Sequence, residues 1–460
     1  MLEQSIKFDL DLISRYDKAG PRYTSYPTAL ELKENFTRED YLQQIKLSNE
    51  RAGPLSLYFH IPFCDTVCYY CACNKIITKN RKHAIPYLKN LHKEIAIQGA
   101  LFDKNRVVDQ LHWGGGTPTF LSIQQMKDLM NTTRQHFNLR DDDLGEYSIE
   151  IDPREANEDT LPQLRQLGFN RISLGAQDFD PAVQKAVNRI QTEEQTFAML
   201  DAARKEGFRS TNLDLIYGLP LQTVDSFSRT LDIVINASPE RLSIFNYAHM
   251  PSLFKVQRQI NEADMPSAEV KLDILQLTIQ RLIGAGYVYV GMDHFAKPTD
   301  ELVIAQRHGK LYRNFQGYST HSDCDLVGFG ITSIGRVADS YVQNYKDLES
   351  YNSSLEQGKL PIFKGFTLNA DDKLRRAIIT QLICHFELDF KAIETTYAII
   401  FNDYFSEQLE QLNVMQKDGL LDISSTSITV KPAGRLLIRN ICMIFDRYLH
   451  DKKKQFSKVI

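Results

Sequence analysis

The chain has 460 residues, 43% hydrophobic and 24% charged, with a formal net charge of -4. That length buries a sizeable core divided into two or three units, and the acidic balance excludes a nucleic-acid binder held by bulk charge. No run of 18 apolar residues appears, which excludes a membrane-spanning helix, and the opening MLEQSIKFDLDL lacks the apolar stretch of a secretory signal, so a reducing cytoplasmic setting is expected.

Residues 1–36 read as an N-terminal arm. The first strand-like run, LSLYFHI (55–61), is followed by FCDTVCYYCACNKI (63–76), which holds four of the seven cysteines. A helical pattern over 87–102 leads to DQLHW (109–113) and the glycine run WGGGTPTF (113–120). A helix over 123–137 precedes YSIEI (147–151), and a shorter one over 161–169 precedes RISLG (171–175). A helix over 194–208 leads to TNLDLIYG (211–218), and RLSIFNY (241–247) is the last run of the series. Strand and helix alternating six times predict parallel βα units. Six is fewer than the eight of a closed barrel, so a partial (β/α)6 barrel over 37–298 is expected, with a doubly wound open sheet as the alternative.

Residues 299–460 read as a mostly helical C-terminal domain. Within it 299–366 lack the βα rhythm, and 367–450 read as helices, a short hairpin at 419–430 and a further helix, the order of a winged helix. The acidic balance favours a helical cap over the barrel mouth, with specific DNA binding as the alternative. The basic stretch 451–459 reads as a solvated terminus.

Side chains on a strand alternate between faces. Tyr58 and His60 therefore share a face, as do Ser148, Glu150 and Asp152, then Ser173, Gly175 and Gln177, then Asn212 and Asp214. Leu57, Phe59, Ile149, Ile151, Ile172, Leu174, Leu213 and Leu215 occupy the opposite faces, suited to the outer helices. Polar residues near the C-terminal ends of several strands converge on one mouth, where barrel enzymes keep their sites.

The cysteine spacing is Cys-x3-Cys-x2-Cys-x-Cys. Cys64, Cys68 and Cys71 can wrap one centre from a short loop. A structural zinc site draws paired knuckles from two places, and no partner pair follows here. A three-cysteine iron–sulfur site is the stronger reading, and it leaves one iron open. Cys73 is expected to leave the loop in a different direction from the three ligands. Among the neighbours, the triple glycine permits close backbone approach, Tyr70 offers a flat face for adenine, Glu150 and Asp214 offer acceptors, and Arg189 offers a carboxylate partner.

This loop, with an aromatic residue before its third cysteine, resembles the radical S-adenosylmethionine enzymes. YDKAGPRYTSYPTA (16–29), CYYCACNKI (68–76), LHWGGGTPTFL (111–121), SIEIDPRE (148–155), NLDLIYGLPLQT (212–223), FNYAHMP (245–251), GMDHFAKP (291–298), RNFQGYST (313–320) and GRLLIRNICM (434–443) resemble the oxygen-independent coproporphyrinogen III oxidases. The related heme chaperones, the alternative in function, generally lack the GPRYTSYPT arm and the fourth cysteine.

The resemblance implies a [4Fe–4S] cluster on Cys64, Cys68 and Cys71. It implies one S-adenosylmethionine at Tyr58, Gly115, Glu150 and Ile334, and a second at Tyr70, Gly116, Thr117, Gln177, Arg189, Asp214 and Ala248. Cys73, Tyr58 and Glu150 are the candidate catalytic residues. The implied reaction converts two propionates of coproporphyrinogen III to vinyls, giving protoporphyrinogen IX and carbon dioxide for heme synthesis, by a 5′-deoxyadenosyl radical. A reducing protein such as flavodoxin or ferredoxin, a monomeric state and a cytoplasmic location are also implied. Arg22 is a candidate clamp for substrate carboxylates. Two features depart from the family pattern: Tyr70 stands where Phe is common, and THSDCD (320–325) places His321 and Cys324 in a loop that varies.

Overall fold

The structure, a computed structural model, describes residues 6–157 and 159–449. The first five residues of the opening segment and the basic stretch 451–459, read above as a solvated terminus, lie outside the described residues. The chain divides into two compact units, one made of Leu32–Ser267 and Asp323–Thr367, the other of the remaining segments.

In the first unit six parallel strands form in the expected places: β1 (Leu55–Ile61), β2 (Val107–Gly115), β3 (Glu146–Ile151), β4 (Arg171–Gln177), β5 (Ser210–Tyr217) and β6 (Arg241–Asn246). Each is hydrogen-bonded to the next in chain order. A doubly wound sheet reverses its order at a switch point. Here the order never reverses, so the fold is the partial barrel. Helices Ala84–Gly99, Ile123–His136, Thr160–Gln166, Glu193–Lys205 and Val224–Ala237 make the crossovers. Ser122, Thr192 and Thr223 start three of them with capping boxes, which satisfy the first-turn N–H groups.

The alternation of faces holds. Leu57, Phe59, Leu111, Trp113, Ile149, Leu174, Leu213 and Leu215 are wholly buried beneath the helices. Phe59 stacks on Phe329 at 4.7 Å, and Trp113 meets Phe169 edge-on at 5.0 Å.

The segment that lacks βα rhythm is partly strand. β7 (Asp325–Phe329) pairs with β1 in parallel, and β8 (Ile334–Val337), β9 (Ser340–Asn344) and β10 (Ile362–Thr367) follow as an antiparallel meander. Asp323–Thr367 therefore groups with the βα strands, where the sequence reading placed it in the C-terminal domain. Tight turns replace crossover helices here, so the rhythm stops while the sheet goes on.

The second unit is held by its own polar contacts. Arg439 donates to the carbonyls of Pro21 and Gly20, Asn440 to that of Tyr16, and the Tyr23 hydroxyl to Asp446. The arm up to Glu31 is thus tied to helix Ile438–Met443 and its neighbours. The expected hairpin is present as Leu421–Ile423 and Ser427–Val430, with Glu387–Asp389 as a third strand. Cys384 and Cys442 are buried in helices, as small core residues are. No helix among the described residues is long and apolar enough to cross a membrane.

Candidate active site

The cysteine loop follows β1 and closes on itself. Phe63–Cys64 pairs in parallel with Ile76–Ile77, and Ile76 N–H donates to Pro62 O at 2.7 Å. The arc between is fastened by residues from other strand ends. Tyr69 N–H donates to Val187 O at 2.9 Å, and Asn188 Nδ2 to Val67 O at 2.7 Å. Gln257 Nε2 donates to the carbonyls of Tyr70 and Ala248, and Asp65 N–H to Glu155 Oε1. Tyr70 itself packs with Tyr69 against Val183, Val187, Leu219, Tyr247 and Ile260.

Three thiols of this loop have neighbours that suit a metal-bound sulfur. Cys64 accepts from Thr117 Oγ1 at 3.6 Å. Cys68 accepts from two guanidiniums, Arg154 at 3.5 Å and Arg189 at 3.6 Å. Burial pushes the Cys64 thiol up to about 12, and its neighbours Cys71 and Cys68 add to the rise. Three thiols in one fastened loop, two cations on one of them and no carboxylate among the donors fit an iron–sulfur cluster on thiolates; metal binding removes the thiol protons. Cys71 goes the other way, down to about 6, because the Cys73 thiol donates to it, and Lys75 helps against burial. Cys73 is exposed and stands against Cys71 rather than leaving the loop in another direction. The short Cys-x-Cys spacing places both thiols on one side of the turn.

The glycine run lies where side chains have no room. A Cβ on Gly114 would meet the Glu150 carboxylate at 2.8 Å, and one on Gly116 would meet Pro62 and Phe63 backbone at 2.7 Å. Gly115 has φ +112°, a conformation that favours glycine. Its N–H donates to Glu150 Oε2 at 3.0 Å. Next to it Thr117 N–H donates to Phe63 O, which locks the run to the cysteine loop.

Glu150 also accepts from His112 Nε2 at 3.2 Å, while His112 Nδ1 meets the Ser148 hydroxyl. Burial pushes the Glu150 carboxyl up, but these donors and the His112 charge hold it below its usual range. Asp214, with Asn212 at 2.7 Å and Ser173 at 3.0 Å, is pushed up to about 6 by burial, and the Glu150 charge adds to this. Asp152 pairs with Arg189 at 3.0 Å and Arg154 at 2.6 Å. Burial opposes ionisation there, yet the two guanidiniums bring its carboxyl down to about 2. Arg189 also donates to Gly175 O, and a Cβ on Gly175 would strike Gln177.

Tyr58 stacks on His112 at 5.8 Å and meets His60 Nδ1 at 3.1 Å. His60 Nε2 faces the Asn74 carbonyl at 3.0 Å, so Nε2 carries the proton and Nδ1 accepts from the Tyr58 hydroxyl. One connected network thus joins Tyr58, Gly115, Gly116, Thr117, Glu150 and the first cysteine, and a second joins Cys68, Asp152, Arg189, Gly175 and Gln177. Ala248 presents backbone on the Gln257 side, and Ile334 is half-buried at the start of β8.

Arg154, His112 and Gln257 went unmarked in the sequence. His112 was open to detection, since it shares a strand face with Gly114 next to Tyr58. Arg154 and Gln257 lie in loops, where no period marks a side chain's direction.

A family model described as the Radical SAM superfamily matches residues 58–234, and one described as the HemN C-terminal domain matches residues 368–437. The chain is 55% identical over 457 residues to the oxygen-independent coproporphyrinogen III oxidase of Pseudomonas aeruginosa, covering 99% of each. It is 51% identical to that of Escherichia coli K12 over the whole of both chains, and 43% identical to that of Helicobacter pylori J99 over 98% of this chain and 99% of that one. The solved structure of the Escherichia coli coproporphyrinogen III oxidase HemN, described as a radical SAM enzyme, matches with a TM-score of 0.92 at 50% identity, covering 97% of this chain and 100% of that one.

Proposed function

This chain belongs to the oxygen-independent coproporphyrinogen III oxidases, and from that membership we propose how its residues divide the work. It is a radical S-adenosylmethionine enzyme, an oxidoreductase that oxidises coproporphyrinogen III without oxygen in porphyrin biosynthesis, with a [4Fe–4S] cluster as its cofactor. Cys64, Cys68 and Cys71 hold that cluster. When bound, it supplies the electron that splits S-adenosylmethionine and so makes an unactivated C–H bond open to attack.

The chain's own groups position and shield. Arg154 and Arg189 neutralise charge at the Cys68 sulfur. Tyr58, Gly115, Glu150 and Ile334 line a site for one S-adenosylmethionine. Glu150 stays ionised there and accepts hydrogen bonds. Tyr70, Gly116, Thr117, Gln177, Arg189, Asp214 and Ala248 line a site for a second. Gly114, Gly115 and Gly116 keep side chains out of the space between Glu150 and the cysteine loop. Cys73 is a turnover residue rather than a ligand, and Tyr58 and Glu150 serve the reaction beside it. The propionates of rings A and B each lose a β-hydrogen atom to the 5′-deoxyadenosyl radical, then their carboxyl group as carbon dioxide and one electron to an acceptor, and vinyls remain. A flavodoxin or ferredoxin supplies electrons to a single chain in the cytoplasm.

The observation that supports this most is the set of three thiols in one fastened loop with two guanidiniums on Cys68. Anaerobic reconstitution is expected to give about four irons per chain, as one cluster requires, and turnover of coproporphyrinogen III to protoporphyrinogen IX. Stoichiometric heme transfer without turnover would refute the reading.

A further inference from the structure

The unit that contains the N-terminal arm holds a crowd of arginines. Arg313 lies on the hairpin Tyr312–Asn314 and Gly317–Ser319, opposite Tyr318. Its guanidinium lies over the Tyr318 ring, 4.8 Å from the centroid, and the residue is only 6% exposed. Its Nε reaches the Arg22 carbonyl at a long 3.4 Å, and its Nη1 is buried with no hydrogen-bond partner. Arg22 pairs with Asp293, so that carboxylate is already engaged, and the Arg22 side chain is 34% exposed. Arg439 completes the group. Burial draws its guanidinium down to about 10, and the charges of Arg22 and Arg313 press in the same direction.

A guanidinium cannot shed its proton to escape burial. A buried cation with an unanswered N–H is costly unless a negative group completes it. The fork geometry of arginine matches a carboxylate, which can accept two parallel bonds. The Tyr318 ring lies against the plane of that fork, and the neighbouring Arg22 side chain is 34% exposed.

We propose that Arg313, with Arg22 beside it, is a carboxylate-binding site that takes a propionate of the porphyrinogen substrate. The proposal rests on the functional reading above, since that substrate carries four carboxylates.

The test uses coproporphyrin III, the oxidised fluorescent form with the same carboxylates, and its tetramethyl ester. Both are titrated into the reconstituted wild type and into Arg313→Met and Arg313→Lys. Arg313→Met is expected to weaken coproporphyrin III binding about ten-fold or more, the loss of a charge-assisted pair. Arg313→Lys should recover part of it, because a point charge replaces the fork. The ester should bind all three proteins alike. In turnover KM should rise, with iron content and melting temperature held. Equal losses for acid and ester, or a melting temperature that falls with both, would make Arg313 a structural residue and overturn the proposal. Unchanged acid binding by Arg313→Met, beside a wild type that turns over coproporphyrinogen III, would overturn it too. A wild type with no turnover at all would strike the functional reading instead.

Discussion

Replacing Asp214 by Asn tests the polar face of the barrel through pH. In the free protein the Asp214 carboxyl is raised to about 6, by burial first, with the Glu150 charge adding to the rise. An ionised carboxylate accepts hydrogen bonds from ribose hydroxyls or an ammonium group, and a protonated one accepts them poorly. With Asp214 in the proposed second site, protons should compete with S-adenosylmethionine at this position. With a carboxyl at about 6 the ionised fraction is roughly one-tenth at pH 5 and nine-tenths at pH 7. Affinity should rise about ten-fold across that interval and level off above it. Glu150 adds no slope, because its carboxyl is held below the usual range. The assay is anaerobic equilibrium dialysis of labelled S-adenosylmethionine against reconstituted protein at five pH values. Asp214→Asn should give a flat profile at reduced affinity, with full iron content. A wild-type profile that is flat, or a variant that keeps the wild-type slope, would refute the reasoning.

Three further outcomes follow from the same contacts. Cys73→Ser should keep its iron, sulfide and cluster spectrum while turnover drops; loss of iron as complete as in Cys71→Ser would make Cys73 a ligand. Gly114→Ala drives a Cβ against the Glu150 carboxylate, so S-adenosylmethionine affinity should fall with little change in melting temperature, and an unaltered affinity would count against Glu150 as a contact. Glu94 is buried among Gly330 N–H, Asn344 and Tyr351, and burial raises its carboxyl from 4.5 to about 7. Its contribution to stability is full below the unfolded value and lost as pH rises through the folded one, so Glu94→Gln should gain on the wild type between pH 5 and pH 8. The gain is on the order of 3 kcal/mol, read as urea midpoints, and parallel pH curves for the two proteins would contradict it.

The barrel strands were legible because each carries a period of two and a helix follows it. Ser148, Glu150 and Asp152 could be assigned one face from spacing alone, and the structure keeps Glu150 and Asp152 near the cysteine loop. The meander from β7 to β10 was not legible. DLVGF (325–329) is short, and no helix separates it from its neighbours, so nothing in the pattern ties it to β1 some 270 residues earlier. The crowding of three thiols in eight residues was legible, and the structure fastens them in one loop. The direction of Cys73 was not, since a turn that brings Cys71 and Cys73 together is a matter of backbone angles that spacing does not encode. Arg154 and Gln257 act through long side chains across loops, and only folding brings them to Cys68 and Tyr70.

Val187, Asn188, Glu155 and Gln257 all grip the backbone of the cysteine loop, and none of these grips involves a metal. In a small zinc domain the ion is the fold's main support, and its loss unravels the chain. This loop has these fasteners besides its sulfur ligands, so a cluster is not its only support. Loss of iron would then cost the enzyme its chemistry before it cost the chain its shape.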